Sequence, residues 1–428
     1  MKHLAFVLTL TCYFFLEGYS QRIAPAPAQS APLVITGGTI HIGNGQVIEN
    51  GAVAFDNGKI TYVGAAANAP AAGATIIDAK SKHVYPGLIA ANTYLGLSEI
   101  EAVRATNDYN EVGDYNPGTR SLTAYNTDSK VIPTLRSNGI LLAQVAPQGG
   151  IISGTSSIMQ LDGWNWEDAA YLADDGVHLN WPSFFRFKFE DLTASVTVNE
   201  DYEKHVQQIR SYFQQAQQYN LQATHAERNI NFEALKGTFT KSNTIFIHTN
   251  YVREIMNAVQ FAKDFGIRMV LVGGRDAYQC TALLKENDIP VILGEVHSLP
   301  AGDDEKIDLP YRTATMLQQA GILYSLSISG FWQLRNLPFM AGTTVAFGVS
   351  KEDALKSITS NTARILGIDG RTGTLETGKD ANIIISTGDL LDMKSSNIER
   401  AFIQGRDISL DNAQKQLNET YKQKYNIK

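Results

Sequence analysis

Residues 245–274 read IFIHTNYVREIMNAVQFAKDFGIRMVLVGG. Two apolar runs, IFIHTN and IRMVLVGG, flank a stretch whose apolar residues recur at helical spacing. Strand, helix and strand at this distance mean a parallel βα unit, because parallel strands need a crossover between them. The pattern extends outward. Further apolar strands begin at Ile289 (IPVILG) and Ile322 (ILYSLSIS), with the amphipathic RDAYQCTALLKEND between the second and third. Upstream, GILLAQVAP (139–147) is another buried strand. Residues 199–219 form a helix with Tyr202, Val206, Ile209, Phe213 and Ala216 on one face. SKEDALKSITSNTARILG (350–367) reads as one helix, with Ser350 as N-cap, Asp353 at the third position and Gly367 as stop. Such units over residues 86–372 suit a (β/α)8 TIM barrel of the α/β class. A doubly wound sheet is the alternative on periodicity alone.

The flanks differ from this core. Residues 33–85 read as a β meander, and Asn57-Gly58 between VAFD and KITYV is a hairpin signal. A β-rich stretch returns at 373–407, so the two segments are expected to form one composite β-sandwich domain. Residues 408–428 are a polar C-terminal tail. At the other end, Lys2 precedes the apolar LAFVLTLTCYFFL, which is short for a membrane span. Residues 1–20 are therefore expected to be a signal peptide cleaved after Ser20, followed by a Pro/Ala-rich linker to residue 32. A secreted or periplasmic protein is the expectation. Cleavage leaves Cys280 alone, which excludes an intramolecular disulfide and a C-x-x-C site.

The chain has 428 residues and a formal net charge of -7, so binding nucleic acid through a basic surface is disfavoured. No run after residue 20 is long and apolar enough to span a membrane.

YPGLIAANTYLGL (85–97) opens the barrel region, and ALKSITSNTARILGIDGRTGTLETGKDANIII (354–385) closes it. With LRNLPFMAGTTVAFG and QGGIISGTSSIMQLDGW, these segments resemble the amidohydrolase superfamily, in particular its secreted imidazolonepropionase-like branch. The resemblance covers residues 33–407. It implies a metal-dependent hydrolase fold acting on amide, imide or cyclic C–N bonds. In that chemistry Zn or another divalent metal lowers the pKa of a bound water, and a carboxylate takes its proton.

The resemblance also implies ligand positions, and this sequence departs from them. The family's H-x-H pair falls on Asn92 and Tyr94. The strand-five histidine is present as His248. The strand-six histidine falls on Gly273 and the strand-eight aspartate on Ser329. Barrel strand four has no placement from sequence. The eight histidines include no two within five residues of each other, so H-x-H and H-E-x-x-H are both absent. A zinc site normally takes at least three protein ligands. The expectation is no bound metal cofactor, and a pocket lined by Asn92, Tyr94, His248, Gly273 and Ser329.

Other groups are candidates for catalysis or binding. His248 is a pocket residue or a hydrogen-bonded core histidine. Glu295 and His297 in GEVHSLP share a face if their strand continues; otherwise they belong to a polar loop. Arg275 is a carboxylate binder, and Arg335 a loop anchor or a second binder. PQGGIISGTSS lacks a P-loop ending and reads as a βα loop at the barrel mouth. Asn250 faces the pocket or caps a helix, and Trp164, Trp166 and Trp332 stack on a ligand or cover the core. Three functions remain open: a pseudoenzyme that partners an intact amidohydrolase paralogue in a hetero-oligomer, a hydrolase with a non-standard site built on His248, Glu295 and His297, and a periplasmic module binding a small molecule.

Overall fold

The computed structural model describes residues 24–190, 193–300, 302 and 305–427. The expected signal peptide lies outside these residues.

The first sheet is built from both ends of the chain. Strands β1 (Leu33–His41), β2 (Val47–Asp56), β3 (Lys59–Ala65), β4 (Thr75–Asp78) and β5 (His83–Pro86) come from the N-terminal side. The β2–β3 hairpin turns at Asn57 and Gly58, whose φ values of 48° and 76° are those a type I′ turn requires.

The second sheet contains β6 (Leu88–Thr93), β7 (Ile140–Val145), β8 (Ile152–Gln160) and β9 (Ala170–Asn180). A separate hairpin follows, β10 (Phe185–Glu190) with β11 (Thr193–Val198). After helix α1 (Tyr202–Leu221) comes β12 (Thr244–Thr249), then α2 (Val252–Phe265), β13 (Met269–Gly273), α3 (Thr281–Glu286) and β14 (Val291–Leu293). The domain ends with α4 (Leu309–Gln319), β15 (Tyr324–Leu326), α5 (Leu337–Ala346), α6 (Lys351–Lys356) and α7 (Ser360–Ile365). The chain then returns to the first sheet through β16 (Ile383–Ser386), β17 (Ile398–Ile403) and β18 (Arg406–Ile408), before helix α8 (Ala413–Tyr425).

In the first sheet the order is β18-β17-β16-β5-β1-β2-β3, with β4 paired to β1. The β16–β5 ladder joins the two ends of the chain, and Phe55 packs edge-on against Phe402 at 5.1 Å in the same core. In the second sheet the order is β6-β7-β8-β9-β12-β13-β14-β15. This is the expected eight-stranded barrel, nearly closed. Between β15 and β6 the gap is bridged by the turn after α6. Leu326 N donates to Ser357 O, and Ile89 N donates to Ile358 O. Those bonds break the single helix expected over 350–367 into α6 and α7. Ser350 still caps α6, accepting from Asp353 N.

The barrel departs from eight parallel βα units at one place. Strand β8 runs antiparallel to both neighbours, and residues 152–160 are buried along its whole length. PQGGIISGTSS is therefore mostly strand and not the expected βα loop. Burial on both faces removes the alternation that marks a strand, and its Gly/Ser content reads as loop. Gly154 needs no side chain here: its φ is +138°, and a Cβ would lie 2.5 Å from Thr119 O.

Elsewhere the sequence patterns hold. Helix α1 buries Tyr202, Val206, Ile209, Phe213 and Ala216. Residues 24–32 do not hang free as a linker. Ala26 N donates to Asp162 Oδ2, and the Gln29 side chain bonds Phe55 O and Gly58 N. Asp162 is 4% exposed and sits between Arg136 and Arg406, at 2.5 and 2.7 Å. Among the described residues no helix is long and apolar enough to cross a membrane.

Candidate functional site in the barrel mouth

The C-terminal ends of β6, β9, β12, β13, β14 and β15 converge on a cavity of about 470 Å³. This is the end of a barrel where ligands are bound. Asn92, His248, Gly273, Glu295 and Ser329 all line it, joined by Asn180 of β9.

His248 is not an independent imidazole. Its Nε2 lies 2.8 Å from Nδ1 of His178, a residue on β9 that sequence reasoning missed because strand four could not be placed. His178 is fully buried and stacked on Phe246 at 4.8 Å. Burial lowers the pKa of both, His248 to about 4 and His178 well below the ordinary histidine value, where His248 adds to the effect. Both rings are thus neutral near pH 7. His178 Nε2 has no partner. An orphaned buried N–H is rarer than an under-satisfied acceptor, so we assign the shared proton to His178 Nδ1. His248 Nε2 then accepts it, and its lone pair is occupied.

Asn92 is held by a polar chain. Its φ is +51°, and its N–H donates to Gln144 Oε1 at 3.1 Å. Gln144 Nε2 donates to Asp175 Oδ2 at 2.6 Å, and Ser156 Oγ donates to Asp175 Oδ1 at 2.8 Å. Burial pushes the Asp175 carboxyl up to about 7 against the opposing pull of those two bonds. Asn92 itself is 8% exposed, and its Oδ1 has no hydrogen-bond partner.

Tyr94 does not join Asn92 in the cavity lining. The left-handed Asn92 and the register shift between Ala90 and Thr93 break the alternation that would put both on one face. The Tyr94 hydroxyl donates to Glu101 Oε1, and its ring packs on Tyr109 and Phe331. Glu295 and His297 do not share a strand face either, because β14 ends at Leu293. Glu295 reaches the cavity, whereas His297 Nε2 bonds Thr343 Oγ1 at 2.7 Å. Gly273 has φ +93°, and a Cβ there would lie 2.7 Å from Asn250 Oδ1.

The remaining candidates sort plainly. Asn250 lines the cavity and does not cap α2; Asp276 Oδ2 accepts from Val252 N at 3.3 Å instead. Arg275 lines an adjacent recess of about 240 Å³, and Arg335 donates to Trp332 O, anchoring its loop. Trp164 is exposed, while Trp166 and Trp332 pack against the core. Buried Cys280 is free.

Among the described residues the mouth offers a divalent ion one imidazole with an occupied nitrogen, the amides of Asn92, Asn180 and Asn250, hydroxyls, the Glu295 carboxylate and the Glu254 carboxylate, which already accepts three hydrogen bonds. This donor set does not fit a metal that must activate water. Among the described residues no group of three or more His, Cys, Asp or Glu is placed to share an ion.

Comparison with known proteins agrees with the architecture. The Amidohydrolase family model matches residues 308–408. An imidazolonepropionase from Mesorhizobium japonicum is 25% identical over 372 residues, covering 79% of this chain and 87% of that protein. The crystal structure of an amidohydrolase from Thermotoga maritima superposes with a TM-score of 0.77 at 24% identity, over 88% of this chain and 99% of that one. A zinc-bound adenosine deaminase from Xanthomonas campestris shares the fold at a TM-score of 0.54 and 14% identity, over 93% of this chain and 98% of that one. The matched segment, the relative and the shared barrel fold together support the amidohydrolase superfamily for this chain.

Proposed function

We propose that this protein is a non-catalytic amidohydrolase-fold protein, exported to the periplasm or beyond, that serves as the partner subunit of an intact amidohydrolase paralogue. The observation that carries the reading is the state of His248. Among the described residues it is the one imidazole in the cavity lining, and its Nε2 is engaged by His178. A metal-activated hydroxide needs several free donors around one point. The backbone at Gly273 supports the same reading, since its φ of +93° disfavours any residue with a Cβ. The family's usual chemistry, hydrolysis of C–N bonds, would then belong to the partner.

The test is purification from the native host under mild conditions, with hydrolysis of small amides and cyclic imides assayed in the presence of added zinc. The proposal expects co-purification with an amidohydrolase that retains its histidine pair, and no turnover by this chain alone. A lone monomer whose metal-dependent turnover is lost in His248→Ala defeats it.

A further inference from the structure

We infer that His41, His83 and Glu352 form an acid-sensitive catch that holds helix α6 against the first sheet. His41 ends β1, His83 starts β5 and Glu352 lies in the first turn of α6, so the three side chains join the sheet to the barrel. Glu352 Oε1 accepts from His41 Nδ1 at 2.7 Å, and His41 Nε2 lies 3.0 Å from His83 Nδ1. Tyr85 stacks on the His41 ring at 4.3 Å and fixes its plane. The other carboxylate oxygen of Glu352 is buried and has no hydrogen-bond partner among the described residues, so His41 holds this side chain. The nearby Lys351–Asp389 pair also joins α6 to the sheet, but Lys351 is largely exposed and such a pair contributes little. Ser360 Oγ donates to Gly43 O and anchors α7 at every pH, which confines the release to α6. That helix leads into the turn whose Ser357 O and Ile358 O bridge β15 and β6.

Counting protons shows why acid opens the catch. A carboxylate only accepts, so His41 carries a proton on Nδ1. With both rings neutral, His83 Nδ1–H donates to His41 Nε2. One added proton is accommodated: His41 becomes an imidazolium that donates to Glu352 and to His83 Nδ1, and the His83 proton sits on Nε2. A second is not, because two imidazoliums would point N–H groups at each other across 3.0 Å. The groups around His83 are His41 on β1, Glu49 on β2, Tyr85 on its own strand, Asp389 after β16 and Lys351 on α6. Burial and His41, helped by Lys351, lower the His83 pKa against the opposing pull of Asp389 and Glu49. A released His83 therefore takes up its proton more readily than the closed catch does. The catch is intact above the ordinary histidine value of 6.5 and weakens as pH falls below it.

The test is hydrogen–deuterium exchange of the full chain, read by peptide mass spectrometry at pH 7.5 and pH 5, with labelling times scaled to the intrinsic exchange rate. Relative to α2, the segment 351–358 should exchange at least threefold faster at pH 5 than at pH 7.5. His83→Gln keeps an amide partner for His41 and takes no proton, so it should lose that response. His225→Gln, on the loop after α1, should keep it. Exchange in 351–358 that rises no more than in α2, a response retained in His83→Gln, or one lost in His225→Gln overturns the inference. The wild-type comparison decides even where a variant fails to fold.

Discussion

Asp175 and His248 titrate in opposite senses, and Asp175→Asn separates them. Asp175 has a folded pKa of about 7 against an ordinary 3.8. The folded state therefore binds its proton more tightly than the unfolded chain between those values. The stabilisation is present at low pH and is lost as pH rises through 7. Integrated from pH 5 to 7.5, the loss is about 2.5 kcal/mol. His248 has a folded pKa of about 4 against 6.5. Here the unfolded chain binds the proton more tightly, so stability falls as pH drops from 6.5 toward 4. Over the same interval that term is about 2 kcal/mol in the opposite direction. His178, also depressed, adds to it. The wild type should thus show a shallow profile that hides two steep ones. Urea unfolding of wild type and Asp175→Asn at pH 5 and 7.5 reads the difference. Relative to wild type, the variant should gain about 2–3 kcal/mol on going to pH 7.5. Any constant penalty from disturbing the Gln144 and Ser156 bonds cancels in that comparison. Parallel profiles for the two proteins would refute the assignment of a raised pKa to Asp175, and with it the electrostatic picture of the chain that holds Asn92.

Three other outcomes are expected. Asp162→Ala strands Arg136 and Arg406 in a buried site and should destabilise by about 3–5 kcal/mol in urea unfolding, whereas a loss under about 1 kcal/mol means that the triad contributes little. Gly273→Ala should lose about 1–3 kcal/mol through its left-handed backbone and the contact with Asn250 Oδ1, and no loss would show that a Cβ is tolerated at this position. Ser350→Ala removes the cap on α6 and should lower stability by about 1 kcal/mol, with full retention of stability excluding a role for that bond.

Much of the architecture was legible in the chain because its periodicities are clean. The 3.6-residue spacing of α1 gave its buried face residue by residue, and Asn57-Gly58 marked a hairpin through its need for positive φ. Two elements were hidden for physical reasons. Strand β8 is buried on both faces and rich in Gly and Ser, so it lacked alternation and looked like loop. The helix over 350–367 had sound caps, but its middle carbonyls are taken by β15 and β6 to close the barrel. Within the site, the family resemblance pointed to Asn92, His248, Gly273 and Ser329, and these reached the cavity. Tyr94 did not, since a single left-handed residue reverses the face of everything after it. His178 and Asp175 were invisible for a different reason. Their roles depend on inward-facing contacts across β7, β8, β9 and β12, and no local pattern in residues 170–180 announces them.

Metal content tests most directly the proposal that the barrel mouth holds no water-activating metal. Protein purified without chelator, given excess zinc and desalted, can be assayed directly for bound metal by elemental analysis. The expected result is well under one zinc per chain, with no change when His248 is replaced by Ala. One or more zinc ions per chain, lost in His248→Ala, would contradict it.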